Sequence, residues 1–170
     1  MENKKSVAIV PGSFDPITYG HIDIAKRAAE KYDQVYFAVM INSSKNYMFS
    51  MEQRVKLAEV ALSDVKNITV ISYDGMLWKL CQELDAVAIV KGYRNQADYD
   101  YEMNMAQFNS NHFPQAKTVL LLSDPLLEDI SSTDVRKKLE QGESLCGLMP
   151  QSVIDLVYKF LKDNKNNLLS

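Results

Sequence analysis

Residues 7–28 read VAIVPGSFDPITYGHIDIAKRA, which is an apolar run, a turn rich in glycine and proline, and a stretch with helical spacing. The apolar run 7–10 predicts a buried strand, and the glycine and prolines after it predict a tight turn. Apolar residues spaced by three and four positions from Ile22 onward predict a helix, and Thr18 is its predicted N-cap. A strand, a turn and a helix in this order are the building unit of a parallel α/β sheet.

Four more short apolar runs follow, and segments with helical spacing separate most of them. The five predicted strands lie at 7–10, 35–41, 68–71, 87–90 and 119–122. Because these runs are continuously apolar rather than alternating, we expect strands that are covered on both faces. The predicted fold is therefore α/β, a Rossmann-like doubly wound sheet of five parallel strands with helices on both faces.

Helix-start signals agree with this order of elements. Ser50 and Gln53 form a capping-box pattern ahead of a second helix. The remaining helices are predicted at 77–84, from about 96 toward 108, from Ser131 or Ser132 to Gly142, and at about 150–162. We expect one domain over residues 1–170, ending in a polar tail.

The composition excludes several classes of protein. The 170 residues are 46% hydrophobic and carry a net charge of −3, with a pI near 5.4. Domains that bind nucleic acid usually carry clustered positive charge, whereas the net charge of this chain is negative. We therefore expect no nucleic-acid partner. No apolar stretch is long enough to cross a bilayer and the N-terminus does not resemble a signal peptide, so we expect no membrane association and a cytoplasmic location.

The first turn is the predicted ligand site. In doubly wound sheets, ligands bind beyond the carboxyl ends of the strands, where the strand order reverses. Gly20 leaves room for a phosphate beside the free N–H groups of the helix start. His21, one position later, can donate a ring N–H to a phosphate oxygen. The alternative is a histidine that only caps or packs the helix.

Four motifs occur in a fixed order along the chain. They are PGSFDPITYGHIDI (11–24), SSKNYMFSMEQRV (43–55), KGYRNQADYDYEMNMA (91–106) and ISSTDVRK (130–137). The first resembles the T/H-x-G-H signature of the nucleotidyltransferase superfamily. Together, the four motifs closely resemble the bacterial phosphopantetheine adenylyltransferase family over nearly all of residues 7–160.

This resemblance implies an enzyme of coenzyme A biosynthesis. The implied reaction is the reversible transfer of the adenylyl group from ATP to 4′-phosphopantetheine, giving dephospho-coenzyme A and pyrophosphate. It also implies assistance by Mg²⁺ and assembly into a homohexamer; no metal-ligating residues are predicted. Two alternatives stay open: a related small-molecule nucleotidyltransferase, specific for cytidylyl transfer or for nicotinamide mononucleotide, and a non-catalytic module that senses nucleotides.

The resemblance also implies residue roles. His21 is the expected transition-state stabiliser, and Lys45 is the expected catalytic lysine that bridges the phosphates of both substrates. The implied ATP-binding residues are Ser13, Phe14, His21, Gly92, Tyr93, Arg94, Glu102, Leu127, Glu128, Asp129, Ile130, Ser131, Ser132 and Thr133. The implied residues for the acceptor substrate are Ser13, Lys45, Leu77 and Lys91.

The chain departs from the family pattern in three places. Lys91 stands where the family usually has arginine, so a two-bond guanidinium contact with the acceptor phosphate is lost. Ser13 stands where threonine is usual, and the aromatic residue that often begins the segment 127–133 is absent.

Asp98 and Glu102 are predicted to share one face of a helix. A pair of carboxylates also allows a hydrolase, although the phosphate-binding groups expected nearby favour transfer.

Overall fold

The structure, a computed structural model, describes residues 5–168. Five strands and six helices alternate along most of the chain. The elements are β1 (Val7–Gly12), α1 (Tyr19–Lys31), β2 (Gln34–Met40), α2 (Met51–Ala61), β3 (Ile68–Tyr73), α3 (Leu77–Glu83), β4 (Ala88–Tyr93), α4 (Gln96–His112), β5 (Lys117–Leu122), α5 (Ser132–Gln141) and α6 (Gln151–Leu168).

The strands form one parallel sheet in the order β3-β2-β1-β4-β5. The strand order reverses between β1 and β4, which pair through Ala8 with Ala88 and Ile9 with Ile89. Ligands in such sheets bind at this reversal point, beyond the carboxyl ends of the strands. The Rossmann-like doubly wound fold predicted from the sequence is confirmed.

Helices cover both faces of the sheet. Successive side chains of β1 point to opposite faces of the sheet, so Ala8 and Val10 belong to one buried cluster and Ile9 belongs to the other. The larger cluster packs under α1, α2 and α6, and the smaller one packs under α3. No helix within residues 5–168 is long and apolar enough to cross a membrane.

The capping predictions are confirmed. Thr18 is the N-cap of α1, and Ser50 exchanges hydrogen bonds with Gln53 at the start of α2. Of the two candidate caps for α5, Ser131 takes this role, and its hydroxyl accepts the Asp134 N–H at 3.1 Å. Gly142 ends the same helix with a φ of 69°, a left-handed conformation that glycine adopts without strain.

Several boundaries differ from the prediction, and those of β4 and α6 have identifiable physical reasons. The fourth strand, predicted at 87–90, continues to Tyr93, because residues 91–93 pair with residues 120–122 of β5. The last helix was expected to end near residue 162, with a polar tail after it, but α6 continues to Leu168. Asn164, in the additional turns, accepts a hydrogen bond from Gln53 of α2 at 2.9 Å, so a contact with α2 stabilises this part of the helix.

Candidate active site

A cavity of about 610 Å³ opens at the carboxyl ends of β1 and β4, where the strand order reverses. Its wall combines the loop after β1, the first turn of α1, the loop after β2, the end of β4, one face of α4 and the first turn of α5. Of the predicted site residues, the cavity brings together Ser13, Phe14, His21, Lys45, Lys91, Gly92, Arg94, Glu102, Leu127, Ile130, Ser131, Ser132 and Thr133.

The loop after β1 turns sharply at Phe14, whose φ of 50° lies in the left-handed region. The Phe14 ring is buried and stacks on Phe37 with centroids 4.0 Å apart. Gly12 permits this packing, because a Cβ at Gly12 would lie only 2.7 Å from the ring. The Phe14 side chain therefore belongs to the core, and we expect a ligand to contact this residue through its backbone.

Asp15 connects the loop after β1 to the loop after β2. Its buried carboxylate accepts the backbone N–H groups of Met48 at 2.8 Å and Phe49 at 2.9 Å. The Asp15 carbonyl accepts a hydrogen bond from the Arg136 guanidinium of α5 at 2.8 Å. Asp15 thus organises the loops around the cavity, and both of its carboxylate oxygens are already occupied.

His21 presents a neutral imidazole to the cavity. Its Nδ1 accepts the Thr18 N–H at 3.0 Å, so the ring proton of the neutral form resides on Nε2. Burial and the nearby positive charges of Lys91 and Arg94 lower the pKa of His21 to about 4. A hydrogen-bond donor that is uncharged at neutral pH is therefore held at the start of α1.

This pKa can be tested by NMR. We expect the Nδ1 and Nε2 chemical shifts of His21 to report an Nε2–H tautomer that persists to about pH 5, with a midpoint near 4. Because protonation is disfavoured in the folded state, the contribution of His21 to stability is complete above about pH 6.5 and is lost as the pH falls through about 4. A His21→Gln variant assigns the signals. A midpoint between 6 and 7 in the unliganded protein would contradict the described environment.

Two cationic side chains of the cavity are paired with carboxylates. Lys91 Nζ lies 3.3 Å from Glu102 Oε1, and Arg94 Nε lies 3.0 Å from Asp98 Oδ2. The Asp98 carboxylate also accepts the Arg94 backbone N–H. Lys45 lies on the exposed loop after β2 and forms no ion pair with any residue in 5–168. Its ammonium therefore remains available to an anionic ligand.

The three hydroxyl groups at the start of α5 all lie at the cavity, and each has a partner. Ser131 caps the helix, Ser132 donates to the Pro16 carbonyl at 2.8 Å, and Thr133 accepts from Arg136 at 3.2 Å. The Ser132 bond joins α5 to the loop after β1. The first turns of α1 and α5 thus open into the same cavity, and helix N-termini attract anions.

Four predicted residues lie outside this cavity. Tyr93 packs edge-on against Tyr99 at 5.1 Å, and Glu128 and Asp129 are exposed. Leu77 lines a separate cavity of about 90 Å³, which also contacts Lys91 and Glu102. Gly92 lines the main cavity, and a Cβ there would approach the Ile24 side chain of α1 to 3.0 Å, so the close packing of α1 on β4 also favours glycine at this position.

Three residues that shape the site were not predicted from the sequence. Tyr47 and Arg136 line the cavity, and Arg54 is a buried cation that reaches the loop after β1. A signal for Arg54 was present: it lies three and four positions before Leu57 and Ala58, on the inward stripe of α2. Tyr47 and Arg136 lie inside the quoted motifs, but sequence spacing alone did not distinguish them from surface residues.

The arrangement is suited to phosphate groups. Two helix N-termini, a neutral imidazole donor and the cations Lys45, Lys91, Arg94 and Arg136 surround one space. A Cβ at Gly20 would make only ordinary contacts, 3.6 Å from Thr18 Oγ1, so packing within the protein does not require this glycine. The bare helix start instead leaves room for a ligand at the cavity wall.

Comparison with known proteins agrees with this chemistry. The family model described as cytidylyltransferase-like matches residues 9–138, which extend from within β1 to within α5. The fold and the cavity thus define a nucleotidyltransferase domain of the cytidylyltransferase-like class.

Individual relatives define the family more narrowly. A protein of Clostridium novyi is 39% identical over 157 residues, covering 92% of this chain and 98% of the relative. A protein of Clostridium kluyveri is 38% identical and covers 95% of this chain and 99% of the relative, and one of Streptomyces coelicolor is 38% identical over 92% and 98%. All three are named phosphopantetheine adenylyltransferase. The chain belongs to the phosphopantetheine adenylyltransferase family.

Proposed function

We propose that this protein transfers the adenylyl group of ATP to the phosphate of 4′-phosphopantetheine, reversibly, in coenzyme A biosynthesis. A phosphate oxygen of the acceptor attacks the α-phosphorus of ATP and forms the new P–O bond. The bond from the α-phosphorus to the oxygen bridging to the β-phosphate breaks, and pyrophosphate leaves. The products are dephospho-coenzyme A and pyrophosphate, and no covalent enzyme intermediate is required.

One observation carries this proposal: a single cavity combines an uncharged imidazole donor, two helix N-termini and several cations. The attacking phosphate is already an anion near neutral pH, so the reaction needs little help from a general base. His21, with a pKa of about 4, is instead suited to donate its Nε2–H as charge develops on the phosphate oxygens. Catalysis then depends on positioning and on electrostatic stabilisation.

Lys45 is the proposed link between the two substrates. It is the cavity lysine without a carboxylate partner among residues 5–168, and its flexible ammonium can follow negative charge from one phosphate to another. Arg94 is held by Asp98 on α4, with its Nη groups left to contact the ATP phosphates. Ser13 and Lys91 are assigned to the acceptor phosphate.

We propose that Mg²⁺ reaches the site bound to the triphosphate. The described residues contain no group of three or more histidine, cysteine, aspartate or glutamate side chains arranged to hold a metal. The carboxylates at the cavity, Asp15, Asp98 and Glu102, are engaged with backbone amides, Arg94 and Lys91 respectively. Mg²⁺ is commonly held by substrate phosphates and water, which fits a site whose own side chains are mostly donors.

We also propose that the chain forms a homohexamer in the cytoplasm, where ATP is available. Side chains on α4 support self-association, because Tyr101 is 62% exposed, and Met103, Met105 and Phe108 are also exposed. Exposed apolar groups clustered on one helix are typical of protein interfaces. Light scattering should give six times the chain mass of 19.3 kDa, and a monomer would contradict the assembly.

A substrate panel tests the proposed reaction. The purified protein is incubated with Mg²⁺, either ATP or CTP, and one of several acceptors, and pyrophosphate release is measured. We expect turnover only with ATP and 4′-phosphopantetheine. Turnover with nicotinamide mononucleotide or with CTP would indicate a different nucleotidyltransferase, and binding of ATP without turnover would indicate a sensing module.

Exchange of Lys91 for arginine should improve acceptor binding. In the unliganded protein, Glu102 occupies the ammonium of Lys91, whereas a guanidinium has enough donors to hold Glu102 and a phosphate together. We expect Lys91→Arg to lower the KM for 4′-phosphopantetheine roughly threefold to tenfold while kcat stays within about twofold of the original. The KM for ATP is the internal control. A collapse of turnover would show that this part of the site is built differently.

A further inference from the structure

Arg54 of α2 is a cation inside the core. The residue is 2% exposed, and its Nη1 donates to the Ser13 carbonyl at 2.6 Å and to the Met40 carbonyl at 3.1 Å. Met40 is the last residue of β2, and Ser13 follows the last residue of β1. One guanidinium therefore joins the carboxyl ends of two neighbouring strands, next to the cavity.

The guanidinium of Arg54 is covered by an aromatic ring instead of a carboxylate. Its Cζ lies 3.9 Å from the centroid of the Tyr47 ring, and no ion pair within residues 5–168 includes Arg54. Nε has no hydrogen-bond partner. Burial lowers the pKa of Arg54, although the nearby Asp15 and Glu52 favour its charged form, and the cation–π contact offsets part of the cost of desolvation. Such a cation indicates a role beyond filling space in the core.

Tyr47 extends this contact into the loop that carries Lys45. Its hydroxyl accepts the Asn42 N–H at 2.6 Å and lies 3.5 Å from Ser13 Oγ. The Asn42 carbonyl in turn accepts the Lys45 N–H at 3.0 Å. The Arg54 guanidinium thus contacts the Tyr47 ring, and hydrogen bonds connect the Tyr47 hydroxyl through Asn42 to the backbone of Lys45.

We propose that the stacked pair Arg54–Tyr47 is a positioning device that fixes the loop after β1 and the loop after β2 relative to each other. Arg54 holds the Ser13 carbonyl, and Tyr47 holds the Lys45 turn, so the two loops meet at a defined distance across the cavity. The catalytic consequence rests on the proposed function, because it requires Lys45 to contact substrate phosphates. Tyr47 acts through Lys45 and is a positioning residue.

The first test measures whether Tyr47 anchors the loop. Tyr47→Leu removes both the ring over Arg54 and the hydroxyl, and Tyr47→Phe removes the hydroxyl alone. Tyr158→Leu, at an exposed tyrosine of α6, is the matched control. We expect amide hydrogen exchange of residues 42–49 to accelerate in Tyr47→Leu, less so in Tyr47→Phe, and not in the control. Because the ring also offsets part of the cost of burying Arg54, the thermal midpoint of Tyr47→Leu should fall modestly, whereas exchange in α3, away from this contact, should stay unchanged. Unchanged exchange at 42–49 would overturn the proposal.

The second test is a double-mutant cycle on turnover. We expect Tyr47→Leu to lower kcat roughly tenfold to a hundredfold, because small misplacements of catalytic groups are costly. If Tyr47 acts through Lys45, Tyr47→Leu should leave kcat almost unchanged when it is made in a Lys45→Ala background. An equal cost in both backgrounds would overturn the proposal.

These outcomes separate the two proposals. If the original protein and Tyr158→Leu both fail to adenylylate 4′-phosphopantetheine, the proposed function is wrong. The exchange measurement still decides whether Arg54 and Tyr47 anchor the loop, because it does not depend on turnover. The inference is supported if amide hydrogen exchange at residues 42–49 accelerates and if the loss of kcat caused by Tyr47→Leu disappears in the Lys45→Ala background.

Discussion

Replacement of His21 by alanine is expected to lower kcat by roughly two to three orders of magnitude, because a positioned donor to developing charge is worth about that much. The imidazole lines the cavity and its pKa of about 4 keeps it an uncharged donor at neutral pH. The loss should appear mainly in kcat and less in the KM for ATP, since the interaction strengthens as the transition state forms. Steady-state kinetics with both substrates varied provide the measurement.

The structural role of His21 must be separated from the catalytic one. His21 Nδ1 accepts the N-cap N–H of Thr18, so alanine also removes a cap interaction worth about 1 kcal/mol. His21→Gln is the matched control, because glutamine at this helix position can accept the same N–H in a capping box. We expect glutamine to recover the thermal midpoint while kcat remains at least about tenfold low. Near-normal turnover in a folded His21→Ala variant would refute the assigned role.

Replacement of Lys45 by alanine is the second large effect. We expect kcat to fall roughly a hundredfold or more, because the proposed contact lies between two polyanions whose charge must be stabilised together. Lys45 lies on an exposed loop, and its side chain forms no ion pair with any residue in 5–168, so folding should be unaffected. Lys159→Ala, at an exposed lysine of α6, serves as the control for lost positive charge.

Lys45→Arg adds a test of mechanism. Arginine keeps the charge but spreads it over a planar fork, which follows moving charge less well than a compact ammonium. We expect partial recovery of kcat with a small change in either KM. Full activity in Lys45→Ala would contradict the proposed bridging role and would leave the cationic requirement to Arg94 and Arg136.

Much of the fold was predictable because its central strands carry local signals. Residues 7–10 and 88–90 are continuously apolar, and all of them except Val7 are buried, as expected for inner parallel strands. The end of β4 was missed because Lys91 and Gly92 do not favour strand structure locally. They are held in the sheet by pairing with Leu120 and Leu121 of β5. The end of α6 was missed for a similar reason, since its polar residues are stabilised through Gln53 on another helix.

The sequence predicted many of the residues that lie at the site, but it did not predict which of them contact one another. The motifs and their resemblance placed His21, Lys45 and Lys91 near one another, and the fold brings all three to one cavity. The pairing of Lys91 with Glu102 joins β4 to α4, and the contact of Arg54 with Ser13 joins residues 41 positions apart. Such contacts depend on packing between elements, which local sequence patterns do not record.

The central claim is that the cavity after β1 binds the phosphates of ATP. A crystal structure with a non-hydrolysable ATP analogue and Mg²⁺ tests it most directly. We predict that the triphosphate lies at the first turn of α1, with a phosphate oxygen within hydrogen-bond distance of His21 Nε2 and with Arg94 and the start of α5 in contact. An analogue bound elsewhere, with this cavity empty, would contradict the account.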